Sequence, residues 1–398
     1  MLSRRHLLAL GAATAASVMP LRLAFANAEL QQRLVVILLR GAMDGLHAVP
    51  PVGDRDYRSL RGALALPEPG AADGALPLDS QFALHPSLAT VKQLYESGEA
   101  TIVHAVASPY RDRSHFDGQD LLENGSMRPH GLSDGWLNRL LPLLPGGRQK
   151  RLGLALGAEM PLILRGPQDV ASWAPSTLPA ASDDFLERVA AMYTAAPELS
   201  RALATALDTQ AMATGAGVMD QGGGNARRQS VLLAEVAGKM LSEPNGPRIA
   251  VMDVPGWDTH SGQGLAQGRM AQALGQLDAS IAALRKTLGA HWQDTVVLTL
   301  TEFGRTAVPN GSGGTDHGTA SAAFVMGGSA AGGKVLGAWP GLSESQLYQG
   351  RDLAPTTDLR SLIMGVLAPH FGLSQTALAA NVFPGDADLA PMRGLLRA

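Results

Sequence analysis

Thr295 to Leu300 (TVVLTL) is continuously apolar and β-branched, without the alternation of a strand that has one wet face. Such a run is buried on both sides, which requires covering layers above and below it. Arg33 to Leu39 (RLVVILL), Ala100 to Val106 and Arg248 to Val254 read the same way. Shorter strands are expected at Arg151 to Leu156, Pro161 to Leu164 and Ala322 to Met326. Helical spacing fills the intervals: Leu84 to Ser97 with Gly98 as its stop, Asp134 to Leu144, Asp183 to about Leu241, Gln263 to Leu288, and Thr357 to His370. Strands separated by helices over the whole length predict an α/β chain with a three-layer, mostly parallel sheet, flanked by helices and joined by right-handed crossovers. At 398 residues and 45% hydrophobic, the chain can bury a core of that size. A single domain is expected over residues 27–398, with residues 183–245 a helical insertion.

Ser3-Arg4-Arg5-His6-Leu7-Leu8 is a twin-arginine pattern, followed by a short Ala-rich apolar segment to Val18 and the small-residue exit Ala24-Phe25-Ala26. It reads as an export signal removed after Ala26, with Ala28 the alternative, giving periplasmic or secreted delivery, and the mature chain is expected to carry no transmembrane anchor. Its removal takes away Arg4, Arg5 and Arg22 and no acid, lowering the formal charge of −3 by three. A mildly acidic chain without Lys/Arg runs is a poor partner for nucleic acid. The chain has no cysteine, so any metal must be held by histidine and carboxylates.

Ionisable groups gather where the strands stop. Asp44 and His47 follow the first strand, Asp258 and His260 follow Arg248 to Val254, and Glu302 and Arg305 follow Thr295 to Leu300. Asp316-His317 precedes the strand at Ala322. In open α/β sheets ligands bind beyond the carboxyl ends of the strands, so polar side chains concentrated there mark a site. Each acid taken alone is more often a turn former or helix cap. Together, Asp44, Asp258, His260, Glu302, Asp316 and His317 are the ligands a cysteine-free chain would offer to a divalent metal: zinc first, with manganese, calcium and magnesium open. Ser114 stands after Arg111 and Arg113 and before His115, itself a candidate ligand, base or capping neighbour, at an expected helix start. It reads either as a nucleophile beside anion-binding groups or as a capping box with Asp117. No phosphate-cradling G-x-x-x-x-G-K-[ST] loop is present, nor a G-x-G-x-x-G after the first strand.

At RLVVILLRGAMDGLHAV, SPYRDRSHFDGQD with the downstream DGWLNR, GWDTH and TVVLTLTEFGRTAVPNGSGGTDHG, the chain resembles a bacterial family of twin-arginine-exported proteins. That family is catalogued as a domain of unknown function and grouped with the alkaline phosphatase and sulfatase superfamily. The resemblance implies an alkaline-phosphatase-like fold with one or two metals, in which Asp44 is the first-strand ligand, Ser114 the nucleophile, and His260 with Asp258 or Asp253 the middle ligand pair. Glu302 stands for an Asp and His317 for the last His; Phe303 stands where the superfamily has a coordinating His. It also implies a metal-dependent hydrolase of phosphate or sulfate esters, with Arg111, Arg113 or Arg305 on the oxygens of a small anionic ester. The rival expectation is a metal-free, catalytically inactive envelope protein acting as a binding or assembly partner. Expected partners are the twin-arginine machinery and a second exported protein.

Overall fold

The computed structural model describes residues 30–147, 151–176, 181–218 and 226–397; the signal segment expected over residues 1–26 lies outside them. The central strand β1 (Arg33–Arg40) shows why the chain builds layers. Val35, Ile37 and Leu39 enter one apolar core and Leu34, Val36 and Leu38 another, so both faces of the strand are dry. Successive side chains of a strand point to opposite faces, and seven consecutive buried residues leave neither face to water.

The first core packs helices Ala89–Glu96, Ala226–Ser242 and Arg269–Leu288 on the sheet. In the last of these, Leu274, Leu277, Ile281, Leu284 and Leu288 recur every three or four residues, forming one buried stripe. The second core packs Trp136–Leu140, Leu359–Phe371 and Gln375–Asn381 on the other face.

The remaining strands are β2 (Leu76–Pro77), β3 (Ala83–Leu84), β4 (Ala100–Ala107), β5 (Gly153–Leu156), β6 (Ala171–Trp173), β7 (Ile249–Pro255), β8 (Thr295–Leu300), β9 (Ser321–Met326), β10 (Lys334–Leu336) and β11 (Thr357–Asp358). The large sheet runs β10-β4-β9-β8-β1-β7-β5-β6, with β11 also on β4; β2 and β3 form a separate hairpin. All pairs in the large sheet are parallel except those of β9, which is antiparallel to β4 and β8. That single reversal brings the site together. β1, β7, β8 and β4 all leave the sheet at one edge, and β9 enters there.

Some sequence expectations shift. Pro161 to Leu164 is a 3-10 turn rather than a strand, and the edge strand is β6, ten residues further on. Pro161 fixes its own φ and offers no N–H to a ladder. The helix expected from Gln263 starts at Arg269, because Gly264 and Gly268 both have positive φ. Over residues 183–245 the chain is helical at Asp183–Tyr193, Pro197–Gly215 and Ala226–Ser242. No helix of the described residues is long and apolar enough to cross a membrane.

His47, His104 and His370 are buried in this frame, and loss of hydration pushes them down to about 3, 4 and 4 respectively. The unfolded chain takes up these protons near pH 6.5 while the fold stays neutral, so stability is full above that pH and lost below it. In chemical denaturation between pH 6.5 and 4.5 these three histidines are expected to add up to about three protons to the slope with which stability falls, up to about 4 kcal/mol per pH unit. His370→Gln should reduce the slope by one proton, and an unchanged slope would contradict the assignment.

Candidate functional site

The exits of β1, β7 and β8 lie side by side because their registers align: Leu38 stands opposite both Asp253 and Leu300. Just past those ends the chain places Gly41, Asp258 and Glu302 together. Gly41 has φ +117°, and a Cβ there would lie 2.6 Å from the Asp258 amide nitrogen, so only glycine permits the approach. Its own N–H donates to Glu302 Oε1 at 2.9 Å. After β8 the backbone pairs with the segment entering β9: Thr306 N donates to the Asp316 carbonyl at 2.9 Å and Gly304 N to that of Thr319 at 2.9 Å. This bridge, with Arg305 opposite His317, fixes the last histidine beside the first acids. From β4 the chain reaches the same rim through Tyr110 to Ser114 and starts the helix His115–Asn124.

Three imidazoles converge there, each with one nitrogen already committed. His115 Nδ1 lies 2.8 Å from Glu302 Oε1, His260 Nδ1 3.0 Å from Asp316 Oδ1, and His317 Nδ1 2.8 Å from the carbonyl oxygen of Arg113. All three partners are acceptors, so in each neutral ring Nδ1 carries the proton and Nε2 a bare lone pair. Those lone pairs face one carboxylate. His260 Nε2 lies 3.1 Å and His317 Nε2 3.5 Å from Asp258 Oδ1, and His115 Nε2 lies 3.7 Å from Oδ2. The Nε2 atoms of His260 and His317 are 3.0 Å apart, and that of His115 is buried without a hydrogen bond.

Charges follow from these contacts. The hydrogen bond that His115 donates to Glu302, followed by the carboxylate's charge, raises the His115 pKa despite partial burial. Burial alone would raise Glu302, but the bonds from His115, Gly41 and Gln119 hold it below the usual carboxylate range. Asp258 is likewise held down: burial opposes ionisation, and the Arg305 guanidinium at 2.7 Å overrides it. Asp316 is lowered by hydrogen bonds from Asn310 and His260. His317 is pushed down chiefly by desolvation, which favours the neutral, lone-pair form.

His115, Asp258 and His317 form a candidate metal site, with their ligand atoms all within 4.8 Å of one another. Two ligands bonded to zinc at 2.0–2.1 Å in a tetrahedron stand about 3.4 Å apart, close to the separations found. A carboxylate or carbonyl behind each histidine is also how metal-binding imidazoles are oriented. The residues present therefore fit a divalent metal.

Two residues expected as ligands lie one layer further out: Glu302 and Asp316 hold Nδ1 protons. Asp44 is not at the cluster. Fully buried, it caps the short helix Gly45–Ala48 and pairs with Arg61 at 2.5 Å, while Gln263 Nε2 donates to it at 2.8 Å. Burial opposes its charge, and Arg61 holds its pKa low. Gln263 Oε1 accepts from Thr259 and Thr315, and Arg305 reaches Thr315 Oγ1 at 3.3 Å. Asp44 thus anchors a buried polar chain that ends at the Arg305–Asp258 pair.

The arginines also depart from expectation. Arg111 bonds to the carbonyls of Ser108 and Tyr110, and Arg113 pairs with Asp352, so neither reaches into the cluster. Arg305 is fully buried between Asp258 and Thr315. Ser114 sits between Arg113, whose backbone carbonyl accepts from His317, and His115, and its side chain does not cap the helix. Phe303 is buried, its ring 5.0 Å from that of His115 and 5.2 Å from that of His317. Gly131-Leu132-Ser133-Asp134-Gly135 has the spacing of a hydrolase serine elbow but follows a helix, not a strand.

The family model described as a protein of unknown function, DUF1501, matches residues 31–382. The chain belongs to the DUF1501 family. No curated protein matches it. Among solved structures, this DUF1501 chain is similar to the C-terminal periplasmic domain of EptC from Escherichia coli, at 10% identity over 91% of this chain and 88% of that one, TM-score 0.43. It is similar to the lipoteichoic acid synthase LtaP of Listeria monocytogenes at 9% identity, over 88% and 74%, TM-score 0.39. A putative sulfatase from Bacteroides thetaiotaomicron is 10% identical over 91% and 73%, TM-score 0.39. Likenesses this distant carry no assignment of activity, which has to come from the site.

Asp44→Asn leaves Arg61 buried without its carboxylate and should cost about 3–5 kcal/mol of stability in a denaturant titration. A variant that keeps wild-type stability would place Asp44 outside the frame described here.

Proposed function

We propose that this chain is an exported hydrolase of phosphate or sulfate esters that holds one divalent metal through His115, His260, His317 and Asp258. One observation carries the reading: three histidines with their Nδ1 protons tied back turn bare Nε2 atoms toward a single carboxylate. Acceptors crowded to 3.0–3.7 Å repel one another unless a cation lies between them. Imidazole nitrogens rank zinc first and manganese next, since calcium and magnesium favour all-oxygen shells. Such a cation supplies Lewis acidity and lowers the pKa of water or a hydroxyl bound to it.

The chain's own groups do the rest. Ser114 presents its hydroxyl where the helix His115–Asn124 begins, and the free N–H groups of that first turn suit the oxygens of an anionic ester. It is the nucleophile in this reading. Glu302 and Asp316 keep the Nδ1 protons of His115 and His260, so those rings present Nε2 throughout turnover. Arg305 keeps Asp258 ionised and in place. Phe303 fills the flank beside His115 and His317 with carbon, which supports one cation rather than two. The twin-arginine pattern at Arg4-Arg5 supports export to the periplasm or beyond, after folding has closed the site.

Phe303 also favours a second reading, in which the protein keeps the fold without turnover and acts as an assembly partner in the envelope. Purified protein assayed with aryl phosphate and aryl sulfate under Zn²⁺, Mn²⁺ and Ca²⁺ separates the two. The hydrolase reading expects turnover with one metal per chain by elemental analysis, and a loss on the order of 100-fold or more in Ser114→Ala. No turnover under any metal, or full activity in Ser114→Ala, would overturn it.

A further inference from the structure

Arg113 is a non-glycine residue with φ +61°, a conformation that costs energy and persists only where its surroundings impose it. What imposes it is visible. The guanidinium is bound by Asp352, with Nε 2.9 Å and Nη2 2.8 Å from Oδ2, and Nη2 also reaches Gln349 Oε1 at 2.8 Å. Asp352 is fully buried and fixed in turn by Thr319 Oγ1 at 2.8 Å and by backbone bonds in both directions with Tyr348. Thr319 lies two residues after His317, and Arg351, beside Asp352, donates to the His317 carbonyl at 2.9 Å. One buried carboxylate thus ties together the backbone before Ser114 and the segment carrying His317. The product of that tie is the direction of a single carbonyl: the oxygen of Arg113, 2.8 Å from His317 Nδ1.

We propose that Asp352 and Arg113 form a positioning strut that fixes the Nδ1–H tautomer of His317 and so turns its Nε2 toward Asp258. The proposal rests on the metal reading above for its purpose, though not for its geometry. Carboxylates do this work for His115 and His260, and they can be read as polar residues beside a site. For His317 the acceptor is a backbone carbonyl, aimed from one step further away. Arg113 and Asp352 are positioning residues: neither side chain touches the cluster, and both act through the imidazole of His317. Ser114 follows Arg113 directly, so the same strut also sets where its backbone enters the helix.

The test compares wild type with Asp352→Asn in the full chain. Long-range ¹H–¹⁵N spectra report which ring nitrogen of His317 carries the proton, and titration calorimetry with Zn²⁺ reports affinity. Wild type is expected to hold a single Nδ1–H form. Asp352→Asn should fold, populate both tautomers and bind zinc 10- to 100-fold more weakly, as loss of an outer partner of a metal ligand does. A folded Asp352→Asn that keeps one tautomer and binds zinc within threefold of wild type would overturn the strut. Should that variant not fold, Arg113→Gly is decisive, because glycine tolerates the positive φ while losing the anchor. The same loss is expected there, and wild-type behaviour would again overturn the proposal. Wild-type protein that binds no zinc refutes the metal reading, while the tautomer comparison still decides the strut.

Discussion

Everything at the rim depends on three N–H groups pointing backwards. An imidazole offers one lone pair when neutral, and the acceptor on its other nitrogen decides which way that lone pair faces. Glu302, Asp316 and the carbonyl of Arg113 make that decision for His115, His260 and His317, and all three rings present Nε2 to Asp258. Were any of the acceptors removed, the ring could turn or change tautomer, and a proton would replace a lone pair at the centre. The outer groups are therefore as much part of the site as the atoms that face inward.

The sheet supplies the convergence. Parallel strands deliver their exits to one edge, but that gives only the segments that follow β1, β4, β7 and β8. Asp316 and His317 precede a strand, and they reach the same edge because β9, alone among the described strands of the large sheet, runs the other way. Behind the rim, the chain from Arg61 through Asp44, Gln263 and Thr315 to Arg305 fixes Asp258 from below. A buried ion pair of this kind is a weak source of stability on its own, since desolvation offsets most of the attraction.

Much of this was legible in the sequence, for physical reasons. The runs at Arg33 and Thr295 had to be buried on both faces, which required layers; the acids and histidines at the strand ends had to share an edge once the strands were parallel. What stayed hidden was the division of labour among similar residues. Asp44 and Asp258 both follow strands, yet one meets a buried arginine and the other meets histidines, and no local pattern separates them. Glu302 and Asp316 stand in ligand-like positions but face Nδ1 atoms. Most elusive was the carbonyl of Arg113, since a backbone acceptor has no sequence signature and the Asp352 that aims it lies over two hundred residues away. The strand misplaced to Pro161 shows the same limit, for three apolar residues after a proline fit a turn as well as a strand.

The most direct measurement of the central claim is anomalous diffraction at the zinc edge from crystals grown with Zn²⁺. A single peak bonded to the Nε2 atoms of His115, His260 and His317 and to Asp258, with Glu302 and Asp316 still on Nδ1, is the result this account requires. No peak at the rim, or a metal bound through Asp44, would contradict it.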